Sequence, residues 1–472
     1  MSLPHALKRA LRHSLLCSVM AGALMLAANP SFAQSASQMD RLEGQIQLLQ
    51  QQLQQMREQV TTTQQQVQKS QEDMKKVQTD AASVPKMTFA NGRPGWVSAD
   101  GQNSLQFTGR LHFDFGDYLS VSRSGTNQSL QSGVNARRAR LGVLGKVAGD
   151  WGYALIADFG GTSDATSASS SIIEDAHISY AGFKPVVVDL GYTDIPWTLG
   201  EATSSNDIMF IERASSQAVA TTFGAGDARS TLGAHGNGDR WWGGLYLTGP
   251  SAGATHSGSS SQVAELARFT YNVYEGPDNS TVHLGVNGSN LSHGAGHTLT
   301  LSDRPELRVD PTTFLSTGSM TIDSGNVLGL EGAATYSNFY VDGEYFHYNV
   351  DRSGSSSDVG FDGGYIEASY TLGGRRSYNK GAGAYTGVKP DHPLDSSFTG
   401  WGAFELAGRY STIDLNDGSI VGGKQNTYSV GLNWYPNTNI RFMLDYLHAD
   451  VDDKPGSNLH MDAVAARAQF AF

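Results

Sequence analysis

Residues 425–449 read QNTYSVGLNWYPNTNIRFMLDYLHA. Tyr428, Val430, Leu432 and Trp434 alternate there with Ser429 and Asn433. After the turn Pro436 to Asn439, Ile440, Phe442, Leu444 and Tyr446 stand opposite Arg441 and Asp445. Period 2 on both sides of a short polar turn predicts two antiparallel strands, each with one apolar and one polar face. The pattern recurs outward along the chain. Leu105, Phe107, Leu111, Phe113 and Phe115 alternate with Gln106, Thr108, Arg110, His112 and Asp114, and Val464, Ala466, Ala468, Phe470 and Phe472 with Arg467 and Gln469. Sixteen candidate strands follow: 105–115, 136–147, 151–159, 175–183, 186–192, 231–236, 241–249, 263–274, 281–289, 327–336, 339–348, 363–372, 402–413, 425–435, 440–449 and 461–472. Tight turns at 183–185, 337–338 and 436–439 contrast with long polar stretches at 116–134, 193–230, 290–326 and 373–401. Short turns at one end and long loops at the other are the asymmetry of an outer-membrane barrel.

A soluble sandwich fails on strand number and on its many charged polar-face residues. A closed barrel meets both difficulties. It satisfies every backbone group, turns its apolar face to lipid and its charged face to a watery lumen. The expected fold of 86–472 is therefore a sixteen-stranded antiparallel transmembrane β-barrel with outer-membrane lipid around it. Tyr348, Tyr410 and Trp434, near strand ends, fit interfacial girdles. Composition agrees: 17% of residues are charged, and there are 55 Gly, 19 Tyr and 19 Phe. A net charge of −12 argues against a nucleic-acid partner.

Residues 1–33 read as a signal peptide. Lys8, Arg9 and Arg12 precede the apolar run Leu15 to Ala28, and Ser31-Phe32-Ala33 ends in small residues suited to cleavage. The sole cysteine, Cys17, lies inside this segment, so the mature chain is expected to form no disulfide or thiol site. Over 34–85 an α-helical coiled coil is expected. Met39, Ile46, Leu53, Val60, Val67 and Met74 recur every seventh residue, as do Leu42, Leu49, Met56, Thr63, Ser70 and Val77. Because an even-stranded barrel has both ends on the periplasmic side, this rod is expected in the periplasm.

No motif points to an enzyme, and no cofactor or metal is expected. Asp414, Asn416, Asp417 and Gly418 lack the length of a calcium loop and read as a polar turn. His293 and His297 sit in a Gly-rich loop and read as a chance pair. No nucleophile-elbow serine is present.

Four stretches resemble the phosphate-selective porin O and P family: ARRARLGVLGKVAGDWGYALIADFG (136–160), EDAHISYAGFKPVVVDLGY (174–192), EATSSNDIMFIERA (201–214) and GGKQNTYSVGLNWYPNTNIRFMLDYLHADV (422–451). The resemblance covers about 100–472. It implies a trimeric outer-membrane porin whose third extracellular loop, here about 193–230, folds inward to narrow the pore. Carried over by position, it implies a pore arginine at Arg110, a vestibule pair at Arg137 and Arg138, an acidic pair at Glu174 and Asp175, and a loop arginine at Arg213. The family's constriction lysine is Glu201 here, and a lysine of its first strand is Gln106. Two functions are then in view. One is passive diffusion of small hydrophilic solutes and ions, including anions such as phosphate, through a homotrimer. The other is a structural tether in which the barrel anchors a coiled-coil rod. Loss of two cations predicts weak ion selectivity.

Overall fold

The computed structural model describes residues 35–89, 92–124, 126–127, 129–160, 172–226, 228–253, 262–454 and 457–472. The signal segment and Cys17 lie outside the described residues. The chain divides into two units, Met1–Ser83 and Val84–Phe472.

In the first unit, helix α1 runs Ser35–Ser83. Met39, Leu42, Ile46, Leu49, Leu53, Met56, Val60, Val67 and Met74 are all exposed along it. The heptad stripe of the sequence is thus an apolar face left bare in the single chain.

The second unit is a closed barrel of sixteen antiparallel strands. In chain order they are β1 Ser104–Arg123, β2 Gly133–Val147, β3 Trp151–Asp158, β4 Ile173–Phe183, β5 Val186–Thr193, β6 Arg229–Asn237, β7 Trp241–Ser251 and β8 Val263–Gly276. Then come β9 Ser280–His293, β10 Met320–Tyr336, β11 Phe339–Arg352, β12 Val359–Leu372, β13 Ala403–Asp417, β14 Ile420–Tyr435, β15 Ile440–Lys454 and β16 Ser457–Ala471. The last strand closes on the first, with Arg467 opposite Asp114. Every one of the sixteen candidate strands is present, and most are longer than expected. The pleat sorts the faces as the alternation requires: along β15, Phe442, Leu444 and Tyr446 are exposed outward, while Arg441, Met443, Asp445 and Leu447 are buried.

Three expectations change. The stretch 116–134 is not one long loop, because β1 continues to Arg123. The segment 373–402 joins β12 to β13, so strand parity places it at the end of the barrel where 184–185, 337–338 and 436–439 turn, not with the long loops. Tyr348 is no girdle residue. It lies on the inward face with Phe346 and Val350, fully buried, and its hydroxyl donates to Ser216 O at 2.6 Å.

Three connections fold into the lumen and fill much of it. The loop 194–228 carries helices α2 Leu199–Ala202 and α3 Ser215–Ala220 and buries Trp197, Leu199, Met209, Phe210, Val219 and Phe223. The loop 294–319 buries Leu301, Leu307 and Leu315. The turn-side segment 373–402 sends a hairpin inward, Tyr378–Asn379 pairing with Ala384–Tyr385. At its tip Gly383 has φ +57°, and a Cβ there would sit 2.9 Å from Trp242 and Thr270 of the wall. Only glycine suits both constraints.

Candidate functional site: a charged cavity between the barrel wall and the inward loop

Inward charges of the wall hold these loops through hydrogen bonds. Glu344 on β11 accepts from the N–H groups of Leu199 and Gly200 at 2.8 and 2.9 Å, at the start of α2. A carboxylate there satisfies donors that the helix cannot pair internally. Thr198 caps the same turn by accepting from Glu201 N–H at 3.0 Å. Asp445 accepts from Ile211 N–H at 2.8 Å, Arg441 donates to Ile208 O at 2.7 Å, and Asn433 donates to Met209 O at 2.9 Å. Arg376 of the turn-side segment forms a bidentate pair with Glu405, at 2.5 and 2.9 Å, and donates to Asp207 O of the inward loop. Glu405, Arg409, Arg441, Asp445 and Arg467 therefore face inward yet are buried beneath loops, where sequence parity alone suggested a water-lined wall.

Water-accessible space survives beside β1 to β4, in a cavity of about 180 Å³. Arg110, Arg138, Arg140 and Arg213 line it, together with Glu174, Asp175, Asp194 and Glu201. Six of the seven residues singled out from the sequence thus share one cavity. Arg137, the seventh, is not among its lining residues. Its Nε and Nη2 clasp Glu212 of the inward loop at 2.7 and 3.3 Å. Neighbouring residues of a strand normally face opposite ways, but the β1–β2 register steps from His112–Arg138 to Phe113–Ala136. Arg137 is the extra residue of that bulge, and bulges re-aim side chains.

Four cations meet four anions around the cavity, so its formal charge is zero. Most of the arginines are committed. Arg140 pairs with Glu174 and, at 2.7 Å, with Asp158. Arg213 donates to the carbonyls of Gly200 and Thr203 at 2.9 and 3.0 Å and lies 3.7 Å from Glu201. Gln217 Nε2 donates to Glu201 at 2.6 Å. Arg110 donates to the hydroxyls of Ser204 and Ser205. Arg138 differs: it is 3% exposed, and its Nε and Nη1 find no protein acceptor. Both atoms are also shut off from solvent, so this guanidinium acts on the cavity through its field.

Behind the cavity, Glu212 fixes the loop. Burial alone would raise its carboxyl pKa, but Arg137, Arg138, Arg308 and Arg467 around it hold the group well below the usual carboxylate range. Asp207 shows the opposite balance: burial raises its pKa despite Arg376 and Arg441 nearby. Sequence reasoning missed Glu212 and Asp194. Arg140 shares inward parity with Arg138 and was legible as such, whereas no local pattern marks Glu212.

The profile of the phosphate-selective porin O and P family matches residues 105–472. Porin O of Pseudomonas aeruginosa is 24% identical over 413 residues, covering 80% of this chain and 90% of that protein. An uncharacterised protein of Caulobacter vibrioides is 26% identical over 376 residues, covering 77% and 72%. Among solved structures, OmpT, an outer membrane protein of Vibrio cholerae, superimposes with a TM-score of 0.49 at 12% identity, covering 78% of this chain and 98% of that one.

Proposed function

This chain belongs to the phosphate-selective porin O and P family and is an outer-membrane porin rather than an enzyme, and from that premise we propose how it conducts. Small hydrophilic solutes and ions diffuse through the lumen along β1 to β4, and the cavity around Arg110, Arg138, Arg140, Glu174, Asp175, Glu201 and Arg213 is the constriction. The observation that carries this reading is the charge balance of that cavity, four arginines against four carboxylates, with the buried Nε and Nη1 of Arg138 left without a protein acceptor. Opposed charges across a narrow passage create a transverse field without a net preference for one sign. Arg138 attracts a passing anion, phosphate included, through its field, and weak selectivity follows. Arg137 acts from behind, by holding the loop through Glu212.

The working assembly is a homotrimer. The bare heptad face of α1 supports a coiled coil between copies, because an apolar stripe of this length is costly to leave in water. With both barrel ends on the turn side, the segment before β1 lies in the periplasm, after a signal peptide at 1–33 has been removed. Single-channel recording of the purified protein in planar bilayers tests the proposal. Stepwise currents in groups of three are expected. Protein that inserts and stays silent would favour the tether.

A further inference from the structure

Along the outward face of β15 the side chains run Phe442, Leu444, Tyr446, His448 and Asp450, and become ionisable beyond Tyr446. That change marks the loop-side edge of the lipid-facing band. Across the ladder on β16, Asp462 stands opposite His448 and His460 opposite Asp450. Two imidazoles and two carboxylates therefore share one patch of the outer rim.

Their geometry goes beyond charge pairing. His448 Nε2 lies 3.3 Å from Asp450 Oδ1, and His460 Nδ1 lies 2.5 Å from the same oxygen. One ligand atom from each of the three lies within 4.8 Å of the others. Tetrahedral zinc with bonds of about 2.0 Å sets neighbouring ligand atoms roughly 3.3 Å apart. The His448–Asp450 edge already has that length, and the His460–Asp450 contact needs to open by less than about 1 Å. The far nitrogen of His448, Nδ1, is bonded to Asp462 Oδ1 at 2.8 Å. Asp462 is itself held by Tyr446 and Ser120, whose hydroxyls each donate at 2.6 Å. A carboxylate behind the imidazole fixes the ring and its tautomer with Nε2 aimed at the site, as metal-binding histidines require.

We propose that His448, Asp450 and His460 form a three-ligand site for a divalent transition metal of zinc's coordination chemistry, with the fourth position open to solvent. Two imidazoles and one carboxylate suit zinc better than magnesium or calcium, which take oxygen ligands. Metal entry displaces to solvent the proton shared by His460 and Asp450. The barrel supplies its own control. On β11 and β12, Tyr345 and His347 grip Asp362 in the same way, His347 Nδ1 at 2.8 Å. The next pair along that face is Asn349 opposite Gly360, so the second imidazole and its carboxylate are missing.

Full-length protein in detergent, stripped with chelator, is titrated with zinc chloride by calorimetry and with Co2+ by visible absorption. One zinc per chain is expected, together with the intense ligand-field bands of four-coordinate Co2+, abolished by adding zinc. His448→Ala and His460→Ala each remove both signals, and Asp450→Asn does so without changing side-chain volume. Asp462→Asn weakens binding by about 10–100-fold. His347→Ala leaves binding unchanged. Heat-modifiable gel mobility checks that each variant is folded. No saturable zinc binding by the unmodified protein, or binding retained in folded His448→Ala and His460→Ala, overturns the proposal.

Discussion

Replacing Glu212 by Gln removes one charge and almost no volume, so its effect isolates the electrostatic anchoring of the inward loop. The carboxylate is gripped by Arg137 at 2.7 and 3.3 Å and approached by Arg467 at 3.5 Å and Arg308 at 3.7 Å. Removing one partner of a buried ion pair costs about 3–5 kcal/mol. Arg467 keeps Asp114 at 2.6 Å and Arg308 keeps Asp303 at 2.8 Å. The loss therefore falls mainly on the Arg137 clasp, near the lower figure of about 3 kcal/mol. At roughly 1.4 kcal/mol per factor of ten, the detached state of the loop gains about a hundredfold in population. Hydrogen exchange read by mass spectrometry over 203–213 reports it directly, because Ile211 N–H is protected by Asp445 only while the loop is seated. Protection in that segment should fall by about two decades. Exchange in Glu212→Gln that matches the unmodified protein would refute this view of the anchor.

The pH dependence of the same anchor has a definite sign. The folded pKa of Glu212 lies below its unfolded value of about 4.3, so its contribution is complete above that pH and is lost as pH falls through the folded value. The difference in loop protection between the unmodified protein and Glu212→Gln should stay constant from about pH 7 to 4.5, and loss of that difference near pH 5 would contradict the pairing. Glu201→Lys takes the constriction from balanced to two positive charges in excess. Each unit about 6 Å from a passing ion contributes roughly 0.7 kcal/mol in water before screening. A severalfold rise in anion over cation permeability is expected from reversal potentials, with half that free energy for Glu201→Gln, and an unchanged ratio would remove Glu201 from the ion path. Deleting 39–77 should lower the melting temperature of the oligomer while single-barrel conductance persists; an unchanged melting profile would make α1 dispensable for assembly.

The strands were legible because period-2 alternation is a local signal, repeated from Leu105 to Phe472. Inward parity was legible for the same reason, and it placed Arg110, Arg138 and Arg140 correctly on the lumen face. It could not tell whether an inward charge meets water or a loop. Arg441 and Asp445 follow the same alternation as Arg110, yet they hold backbone atoms of residues 206–211. That partnership joins segments more than two hundred residues apart, and no spacing rule reports it. Arg137 escaped parity because a bulge adds one residue to β2. The segment 373–402 was misplaced because its length suggested a loop of the opposite end, whereas counting strand reversals puts it with the turns. The His448, Asp450 and His460 cluster is likewise a product of cross-strand register, with two ligands on β15 and one on β16.

The charge-compensated constriction is tested most directly by the zero-current potential of the unmodified protein in a potassium chloride gradient, with phosphate then added to both sides. Opposed arginines and carboxylates should give a potential close to zero, and phosphate should reduce chloride current only weakly, through Arg138. A large anion-selective potential with current blocked by micromolar phosphate would show that the arginines outweigh Glu174, Asp175, Asp194 and Glu201, and would contradict the balance drawn from the cavity.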